Sequence, residues 1–330
     1  MNNLLFTLNA ILPIILPILL GYGLKRIHFF SDSFLTEANK LVFKILIPIL
    51  LFSNLYLADL SQINWVFVGY AAGAILVLFL VGMGVVLFIP NRKQKGVVLQ
   101  ACFRSNYAII GIPLATALGG EVAGAEASVI AAVSVPLFNI LAVVALSIYD
   151  HEDGQKISVK NILFKIITNP LIIGVACGLV VCGMNMGINS TGANVKAFLN
   201  DYMKFIPDTI TSLGRVATPL ALLVLGGRFE FKAVKALWRQ LTVAVSMRLV
   251  IVPAIALVVA YFIGFKNSTQ FAILISLFAS PIAVSSAPMA AQMGQDEELA
   301  GQIVVWTSAL SAFTLFIIIM ICAAVGIFAI

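Results

Sequence analysis

Residues 101–120 read ACFRSNYAIIGIPLATALGG, and this stretch decides how the chain folds. It is apolar enough to enter a bilayer, yet it contains Arg104, Asn106, Gly111 and Pro113. Pro113 has no amide hydrogen, and its ring clashes with the carbonyl four residues back, so it interrupts a helix. Inside lipid, such an interruption is tolerated only where it is buried in protein or lines a polar cavity. The stretch therefore predicts a membrane span that is broken around residues 109–113.

Residues 276–294, SLFASPIAVSSAPMAAQMG, repeat this pattern late in the chain, with Pro281 and Pro288. The expected interruption lies around residues 284–288. Two broken spans at corresponding places in two halves of a chain indicate the binding site of a transporter. We therefore expect the two interrupted segments to cross close to one another.

Composition places the whole chain in a membrane. Hydrophobic residues make up 61% of its 330 residues, charged residues make up 10%, and the mean hydropathy is +1.08. Ordinary soluble domains are about one quarter charged, and roughly 20 apolar residues suffice for a helix to cross a bilayer. The apolar runs predict ten spans and a short amphipathic helix near residues 157–168. The predicted spans are 4–24, 35–57, 65–89, 96–117, 127–149, 170–186, 206–227, 237–264, 269–293 and 300–330.

The lysines and arginines of the loops predict the orientation. They cluster after the first, third, fifth and seventh spans, at Lys25, Arg26, Arg92, Lys93, Lys95, Lys156, Lys160, Lys165, Arg228, Lys232, Lys235 and Arg239. The alternate connections hold few basic residues, such as Lys196, Lys204 and Lys266. Because basic loops remain in the cytoplasm, we expect both termini to be extracytoplasmic in a multi-pass protein of the cell (inner) membrane. The net charge of +6 therefore serves topology and predicts no nucleic-acid partner.

The chain repeats its own pattern. Pro48 can be placed over Pro219 and Pro113 over Pro288, in the same order along the two halves. Each half then holds five spans, an odd number that inserts the second half upside down as an inverted repeat. The predicted organisation is a first repeat over 1–150, a cytoplasmic loop with the short amphipathic helix over 151–168, and a second repeat over 169–330.

Three motifs resemble the auxin efflux carrier family, within the wider group of bile-acid and auxin transporters. They are RSNYAIIGIP at 104–113, NPLIIG at 169–174 and SAP at 286–288, and the resemblance covers essentially the whole chain. It implies ten helices in two inverted five-helix repeats, with broken fourth and ninth helices that cross near the membrane centre. It also implies transport of organic anions, which include auxin in plants and dicarboxylates in bacteria. Plant members have a long cytosolic insert between the halves, whereas the connection here is short and suits a bacterial carrier.

Polar residues in and near the broken spans are the candidate substrate ligands. A helix that is interrupted inside the membrane exposes free amides at the N-terminus of one half, and such ends bind anions. The candidates are Asn54, Asn106, Gly111, Pro113, Asn139, Ser280, Pro281, Ser285, Ser286 and Pro288. For each asparagine and serine, the alternative is a hydrogen bond that braces neighbouring helices.

Arg104, Arg215 and Arg248 lie in or near spans. A charge at mid-membrane costs at least roughly 2.5–3.5 kcal/mol, so such a residue is expected to face a cavity or a partner. Arg104 has an alternative, because it is close enough to the end of its span to snorkel to the cytoplasmic surface. Arg248 lies near the middle of its span and has no such route.

These observations predict a secondary transporter that carries small organic anions such as carboxylates by alternating access. The resemblance favours an efflux carrier, with the substrate bound where spans four and nine cross. A passive anion channel and a membrane sensor of similar ligands are the alternatives. No HExxH or GxSxG motif occupies a span, so we expect no enzyme activity.

The sequence indicates no cofactor and no metal site. Cys102, Cys177, Cys182 and Cys322 all fall within apolar runs, where buried free thiols are expected. The expected partners are a small organic anion and the lipid bilayer. The sequence leaves the oligomeric state open, and a homodimer is one option.

Overall fold

The structure, a computed structural model, describes residues 2–57, 64–150, 159–188 and 202–328. All regular secondary structure in these residues is helical, which confirms the predicted all-α class. The predicted polar loop at 151–158, the connection that contains Lys196 and the last two residues lie outside the described part. The α-helices are α1 Asn2–Arg26, α2 Asp32–Leu41, α3 Ile47–Leu57, α4 Trp65–Val85, α5 Arg92–Phe103, α6 Ile112–Ile148, α7 Val159–Ile167, α8 Pro170–Ile188, α9 Phe205–Gly227, α10 Phe231–Ser246, α11 Val252–Ile263, α12 Ser268–Phe278, α13 Ser286–Gln292 and α14 Glu297–Ala324.

Several helical stretches are long and apolar enough to cross a membrane. By length and composition there are five in the described residues, namely Trp65–Phe88, Arg92–Ile148, Phe205–Gly227, Phe231–Ile263 and Glu297–Ala324. Pro170–Met184 and Ser268–Phe278 are shorter apolar helices. The chain is therefore a multi-pass membrane protein.

Side-chain caps fix where many of these helices begin. The side chains of Ser31, Asn64, Asn91, Asn267 and Asp296 accept a backbone hydrogen bond at the start of α2, α4, α5, α12 and α14. A cap satisfies one of the amides that a first helical turn leaves without a partner. Most of these caps lie in short loops between apolar runs, which explains why hydropathy alone locates the elements well.

Three π-helical turns each end two residues before a proline. They are Val42–Leu46 before Pro48, Tyr107–Gly111 before Pro113 and Met247–Ile251 before Pro253. A π turn widens the backbone where the proline ring would otherwise meet the carbonyl four residues earlier. The chain therefore passes these prolines without losing its helical path. A sharper bend occurs within α6 at Gly120, whose φ of 77° is a left-handed value that suits glycine.

The two broken spans are interrupted upstream of the predicted places. The first gap is Arg104–Asn106, between α5 and the π turn, whereas residues 109–113 are helical. The second gap lies between α12 and α13, and Pro288 occupies the first turn of α13. Proline is tolerated there because first-turn amides have no intrahelical partner. The expectation of a break at Pro113 was therefore wrong, while the second gap contains Pro281 and overlaps the predicted 284–288 only at residues 284 and 285.

A backbone hydrogen bond joins the two gaps. The amide of Asn106 donates to the carbonyl of Pro281, with a nitrogen–oxygen distance of 2.9 Å. Asn106 lies in the first gap and Pro281 in the second, so the interruptions of the two spans are in direct contact. An amide left free by one broken helix thus finds its acceptor in the other, as an apolar interior requires.

Several predicted cytoplasmic loops meet at one end of the bundle, which we call the basic face. Arg228 follows α9 and contacts both Glu297 at the start of α14 and Thr36 in α2, the latter at 3.0 Å. Gln94 at the start of α5 donates to Asp296 at 2.9 Å. The connections after α1, α4 and α9 and before α14 therefore lie together. That this face meets the cytoplasm remains a prediction.

The connection after α11 lies at the opposite face. The ring of Phe265 is 5.3 Å from that of Phe67 and 5.2 Å from that of Tyr70, centroid to centroid. Phe67 and Tyr70 are in the first turns of α4, far along the chain from Phe265. The starts of α4 and α12 are thus neighbours at the end of the bundle away from the basic face.

The helices pack as two groups. The first helix group contains α1, α2, α3, α8 and α9, and the second contains α4, α5, α6 and α10 to α14. Helix α7 contacts both groups, and α1 also packs on α14 across the boundary. Glycines let the backbones of the first group approach closely. A Cβ on Gly21 of α1 would lie 2.1 Å from the carbonyl oxygen of Leu223 in α9, and one on Gly174 of α8 would lie 2.5 Å from that of Pro48. Small residues of this kind permit tight helix packing in membranes.

Candidate functional site

A cavity of about 60 Å³ lies between the two helix groups, beside the joined gaps; we call it the central cavity. Helices α3 and α9 form one wall, and the first gap, α6 and the residues just before α13 form the other. The polar lining residues are Asn54, Arg104, Ser105, Asn106, Tyr107, Asn139, Thr218 and Ser285. The other lining residues are apolar, and no acidic side chain is among those described.

Arg104 is the one charged residue in this lining, and its side chain is 1% exposed. Its Nη1 donates to Gln100 Oε1 at 2.7 Å and to Met289 Sδ at 3.1 Å. Its Nη2 donates to Asn139 Oδ1 and to Ser285 Oγ, both at 2.8 Å. All four acceptors are neutral. Arg104 therefore ties α5 to α6 and α13 and does not snorkel to the surface.

The positive charge of Arg104 has no neutralising partner in the described part of the chain. The ion pairs found there join Lys25 to Asp32, Lys40 to Glu37 and Arg228 to Glu297. A buried charge is costly unless it is paired, and the neutral acceptors offset only part of that cost. The central cavity therefore carries a net positive potential, which favours an anion.

Further donors beside the cavity are unsatisfied. Ser105 Oγ and Asn106 Nδ2, like Tyr107 Oη, are buried and have no hydrogen-bond partner among the described residues. Leaving such a group without a partner costs roughly 1–3 kcal/mol. Both polar atoms of the Asn139 side chain, in contrast, have a partner, because Nδ2 donates to Val135 O at 2.8 Å and Oδ1 accepts from Arg104. The unsatisfied hydroxyl and amide match what a bound carboxylate requires.

Arg248 lies outside the central cavity. Its side chain is 0% exposed, its Nε donates to Ser280 O at 2.8 Å, and its Nη2 donates to Phe278 O at 2.7 Å and to Leu277 O at 3.3 Å. These carbonyls are at and just beyond the C-terminus of α12, where the break removes their helical partners. A cation is favourable at that negative helix end. Arg248 is therefore a cap for the broken helix.

The other predicted ligands in the second gap have varied surroundings. Ser280 Oγ donates to Ser276 O at 2.6 Å and is not in the cavity wall. Ser286 is buried, and its Oγ has no partner among the described residues. Pro281 contributes its carbonyl to Asn106, and Pro288 lines a separate cavity at the basic face. Of this set, only Ser285 presents its side chain to both Arg104 and the central cavity.

Three further predicted residues are away from the cavity. Gly111 is buried, and a Cβ there would meet the ring of Tyr107 and the carbonyl of Ser276, so its role is close packing. Pro113 is exposed on the outside of the bundle. Arg215 is exposed on α9 and is not part of the central lining.

Two larger cavities adjoin the central one. The basic-face vestibule, of about 310 Å³, is lined by residues that include Arg228, Glu297 and Pro288, and it shares Ala221 with the central cavity. The apolar cavity, of about 230 Å³, shares Asn54 and three other residues with it. Apart from Asn54 and Ser128, the lining of the apolar cavity carries no polar side chain in the described residues. The central cavity thus lies between a charged space and an apolar one.

Ser105, Thr218, Gln100 and Met289 belong to the site, although the sequence did not single them out as ligands. Ser105 stands between Arg104 and Asn106, so its place in an interrupted polar stretch was an available signal. Thr218 precedes Pro219 on α9 and had no such signal, because a lone threonine in a span usually bonds within its own helix. Gln100 contacts Arg104 from one turn earlier in the same helix, whereas Met289 contacts it only because the two breaks meet.

Comparison with known proteins assigns the family. Residues 6–319 match the family described as membrane transport protein, so the chain belongs to this family of membrane transporters. The resemblance to the auxin efflux carriers is thereby confirmed. An uncharacterized transporter of Methanothermobacter thermautotrophicus is similar, with 23% identity over 315 residues that cover 93% of this chain and 95% of that protein.

Proposed function

We propose that this membrane transporter is a secondary carrier of small organic anions, with the carboxylate bound in the central cavity. The observation that carries the proposal is the buried guanidinium of Arg104, whose hydrogen-bond acceptors are all neutral. A carboxylate would supply the missing negative charge and accept from Ser105 and Asn106. Efflux as the direction of transport rests on the family resemblance.

The proposed architecture is the ten-span inverted repeat, with repeats at 1–150 and 169–330 joined by 151–168. The hydrogen bond between Asn106 and Pro281 supports a crossing of the broken fourth and ninth spans. The loops after the first, third, seventh and ninth predicted spans meet at the basic face. Loops that alternate between two faces are expected when each predicted span crosses the membrane once. With the basic face on the cytoplasmic side of the inner membrane, both termini are extracytoplasmic.

The proposed mechanism is alternating access between the two helix groups. The central cavity lies at their junction and is the smallest of three neighbouring cavities. A relative shift of the groups would open it toward the vestibule in one state and toward the apolar cavity in the other. Such rigid-body rocking around a fixed site is the usual behaviour of inverted-repeat transporters.

The vestibule, the central cavity and the apolar cavity, which are neighbours, also suit a passive anion channel. A sensor of similar ligands would bind the anion without moving it. Counterflow separates the three, because only a carrier drives labelled external anion into proteoliposomes in exchange for unlabelled internal anion. Saturable counterflow of a carboxylate is expected. Uptake that never saturates would favour the channel, and ligand-induced thermal stabilisation without any uptake would favour the sensor.

The variant Arg104→Gln tests the anion site. Loss of a charge-assisted hydrogen bond worth roughly 1.5–3 kcal/mol should weaken carboxylate affinity about tenfold to a hundredfold. Arg215→Gln is the matched control, because Arg215 is exposed and is not among the residues that line the cavity. Unchanged affinity in a folded Arg104→Gln protein would remove Arg104 from the substrate site.

A further inference from the structure

An apolar groove of about 560 Å³ runs along the outside of the second helix group, between α11, α12 and α14. It does not adjoin the central cavity. Val258, Phe262 and Ile321 are exposed in its walls, and Leu257 is buried beneath them. Among the described lining residues, only Tyr261, Thr314 and Cys322 carry a side-chain heteroatom. In a membrane transporter, an open surface this apolar faces hydrocarbon.

The length of the groove matches one leaflet of a bilayer. Its lining extends from Leu249 in the π turn to Phe262 at the end of α11, which at 1.5 Å per residue is about 20 Å. Half of a typical hydrocarbon core is about 15 Å. Because α11 ends beside Phe265, the groove lies in the leaflet away from the basic face.

A single cation stands at the rim of the groove. Lys266 Nζ lies 4.9 Å from the ring centroid of Tyr261, which lines the groove, and Lys266 is exposed. Residues 249–285 and 299–328 contain no other charged side chain. The first amides of α12, which begins at Ser268, add positive charge to the same rim. The apolar groove, which extends over about one leaflet, therefore has a positively charged end that attracts anions.

We propose that the groove binds one acyl chain of an anionic phospholipid and that Lys266 contacts its phosphate. The shape suits a single extended chain, and the charge that the described residues place at the rim has the sign that complements a phosphate. A second copy of this protein fits less well. An isologous contact would bring the Lys266 side chains of both copies toward one interface. Residues 249–285 and 299–328 contain no acidic side chain that could pair with them.

The bound lipid also has a structural consequence. Leu249 and Val250 line the groove and belong to the π turn that holds Arg248 on the broken end of α12. An acyl chain in the groove packs this turn against α12 from outside. The phospholipid should therefore stabilise the folded protein, because a ligand that binds only the native state raises its melting temperature.

Native mass spectrometry of the purified full-length protein tests this site. The probes are phosphatidylglycerol and a diacylglycerol with identical acyl chains. The wild type should retain one phosphatidylglycerol in preference to diacylglycerol. Lys266→Gln should weaken phosphatidylglycerol binding about fivefold and leave diacylglycerol binding unchanged, given the usual contribution of one lysine at a membrane surface. Lys160→Gln, which removes an exposed lysine in the first turn of α7, should change neither.

Filling the groove tests the acyl chain separately. Ala254 lines the groove and is exposed, so Ala254→Trp should abolish retention of both lipids. Val259→Trp is the control on the same helix, because Val259 is exposed but outside the lining. Equal lipid retention by all variants would overturn the proposal. A change from dimer to monomer in Ala254→Trp would also overturn it, by assigning the groove to a second copy.

Discussion

Asn106 contributes its backbone and its side chain to different contacts. The amide nitrogen of its backbone holds the two broken spans together through Pro281 at 2.9 Å. Its side-chain Nδ2 is buried, borders the central cavity and has no partner among the described residues. The contact between the two gaps therefore needs only the backbone of Asn106. Its side-chain amide remains available for a substrate.

We predict that Asn106→Leu abolishes carboxylate transport while the protein remains folded. Leucine is similar in size and keeps the backbone bond to Pro281, but it cannot donate to a carboxylate. The expected loss in affinity is about tenfold or more, from the roughly 1.5–3 kcal/mol of a hydrogen bond to a charged group. Proteoliposome uptake and the melting temperature without ligand should be measured together.

Asn169→Leu is the matched control for this variant. Asn169 Oδ1 accepts from Leu171 N at 2.9 Å at the start of α8, and Asn169 is not in the cavity lining. Its loss should lower the melting temperature by removing a helix cap and leave substrate affinity unchanged. Normal uptake by a stable Asn106→Leu protein would exclude Asn106 from the site.

At the residue scale, the sequence predicted those cavity-lining residues that are polar side chains within otherwise apolar spans. Asn54, Asn106, Asn139 and Ser285 are polar residues of apolar spans, and all of them border the central cavity. For Arg248 the sequence indicated a cavity or a partner, and the structure supplies a partner. That outcome depends on which carbonyls the broken α12 leaves free, and local sequence does not reveal the packing of α12 against α11.

At the scale of elements, prolines marked both broken spans, but of Pro113, Pro281 and Pro288 only Pro281 lies in a break. The π turn before Pro113 absorbs the steric conflict, and the gap lies upstream at Arg104–Asn106. The position of the gap follows from long-range contacts, namely the hydrogen bonds of Arg104 to Met289, Asn139 and Ser285 and the bond from Asn106 to Pro281. A pattern of single residues carries no information about such contacts, whereas helix ends were predictable from their caps.

We therefore predict that Pro113→Ala retains both the break and transport. Pro113 is exposed, and none of the contacts that hold the gap involves its ring. Surface substitutions of this kind change the free energy of unfolding by about 0.5 kcal/mol or less, so transport should stay within about twofold of the wild type. Uptake kinetics measure this directly. A large loss of transport would instead show that Pro113 itself produces the interruption on which transport depends.

Arg248→Gln should destabilise the protein without acting on the anion site. The substitution removes a guanidinium that satisfies the carbonyls of Leu277, Phe278 and Ser280. Glutamine can replace at most part of this set, and each buried hydrogen bond to a charged group contributes about 1.5–3 kcal/mol. The melting temperature should fall clearly, while Arg215→Gln should leave it unchanged. Weaker substrate affinity at an unchanged melting temperature would instead assign Arg248 to substrate attraction.

At the scale of the whole molecule, the pattern of basic loops predicted which connections share a face. The contacts of Arg228 and Gln94 bring those loops together as expected. The division into two helix groups was not predictable in the same way. It depends on close approaches such as that of Gly21 to Leu223, between segments some 200 residues apart in the sequence. Hydropathy locates spans but does not specify which of them pack together.

The ion pair between Arg228 and Glu297 joins the two helix groups at the basic face. Arg228 follows α9 of the first group and also bonds to Thr36 there at 3.0 Å, whereas Glu297 begins α14 of the second group. Both side chains line the vestibule, and they are 25% and 40% exposed. A partly exposed pair contributes little to the free energy of unfolding. In the proposed alternating-access mechanism, we expect it to act on the balance between two states that differ in how the groups meet.

We predict that Arg228→Glu opens the vestibule and that exchanging the two charges restores it. Repulsion between the introduced carboxylate and that of Glu297 should separate the groups at the basic face. A cysteine introduced at Ala291, which lines the vestibule, should then react faster with a membrane-impermeant maleimide. The double variant Arg228→Glu with Glu297→Arg should return labelling toward the starting rate, because the attraction is re-formed with the charges reversed. High salt should speed labelling of the protein with the native pair, since screening weakens an exposed pair. Equal labelling in all three proteins would show that the pair does not influence how the groups meet.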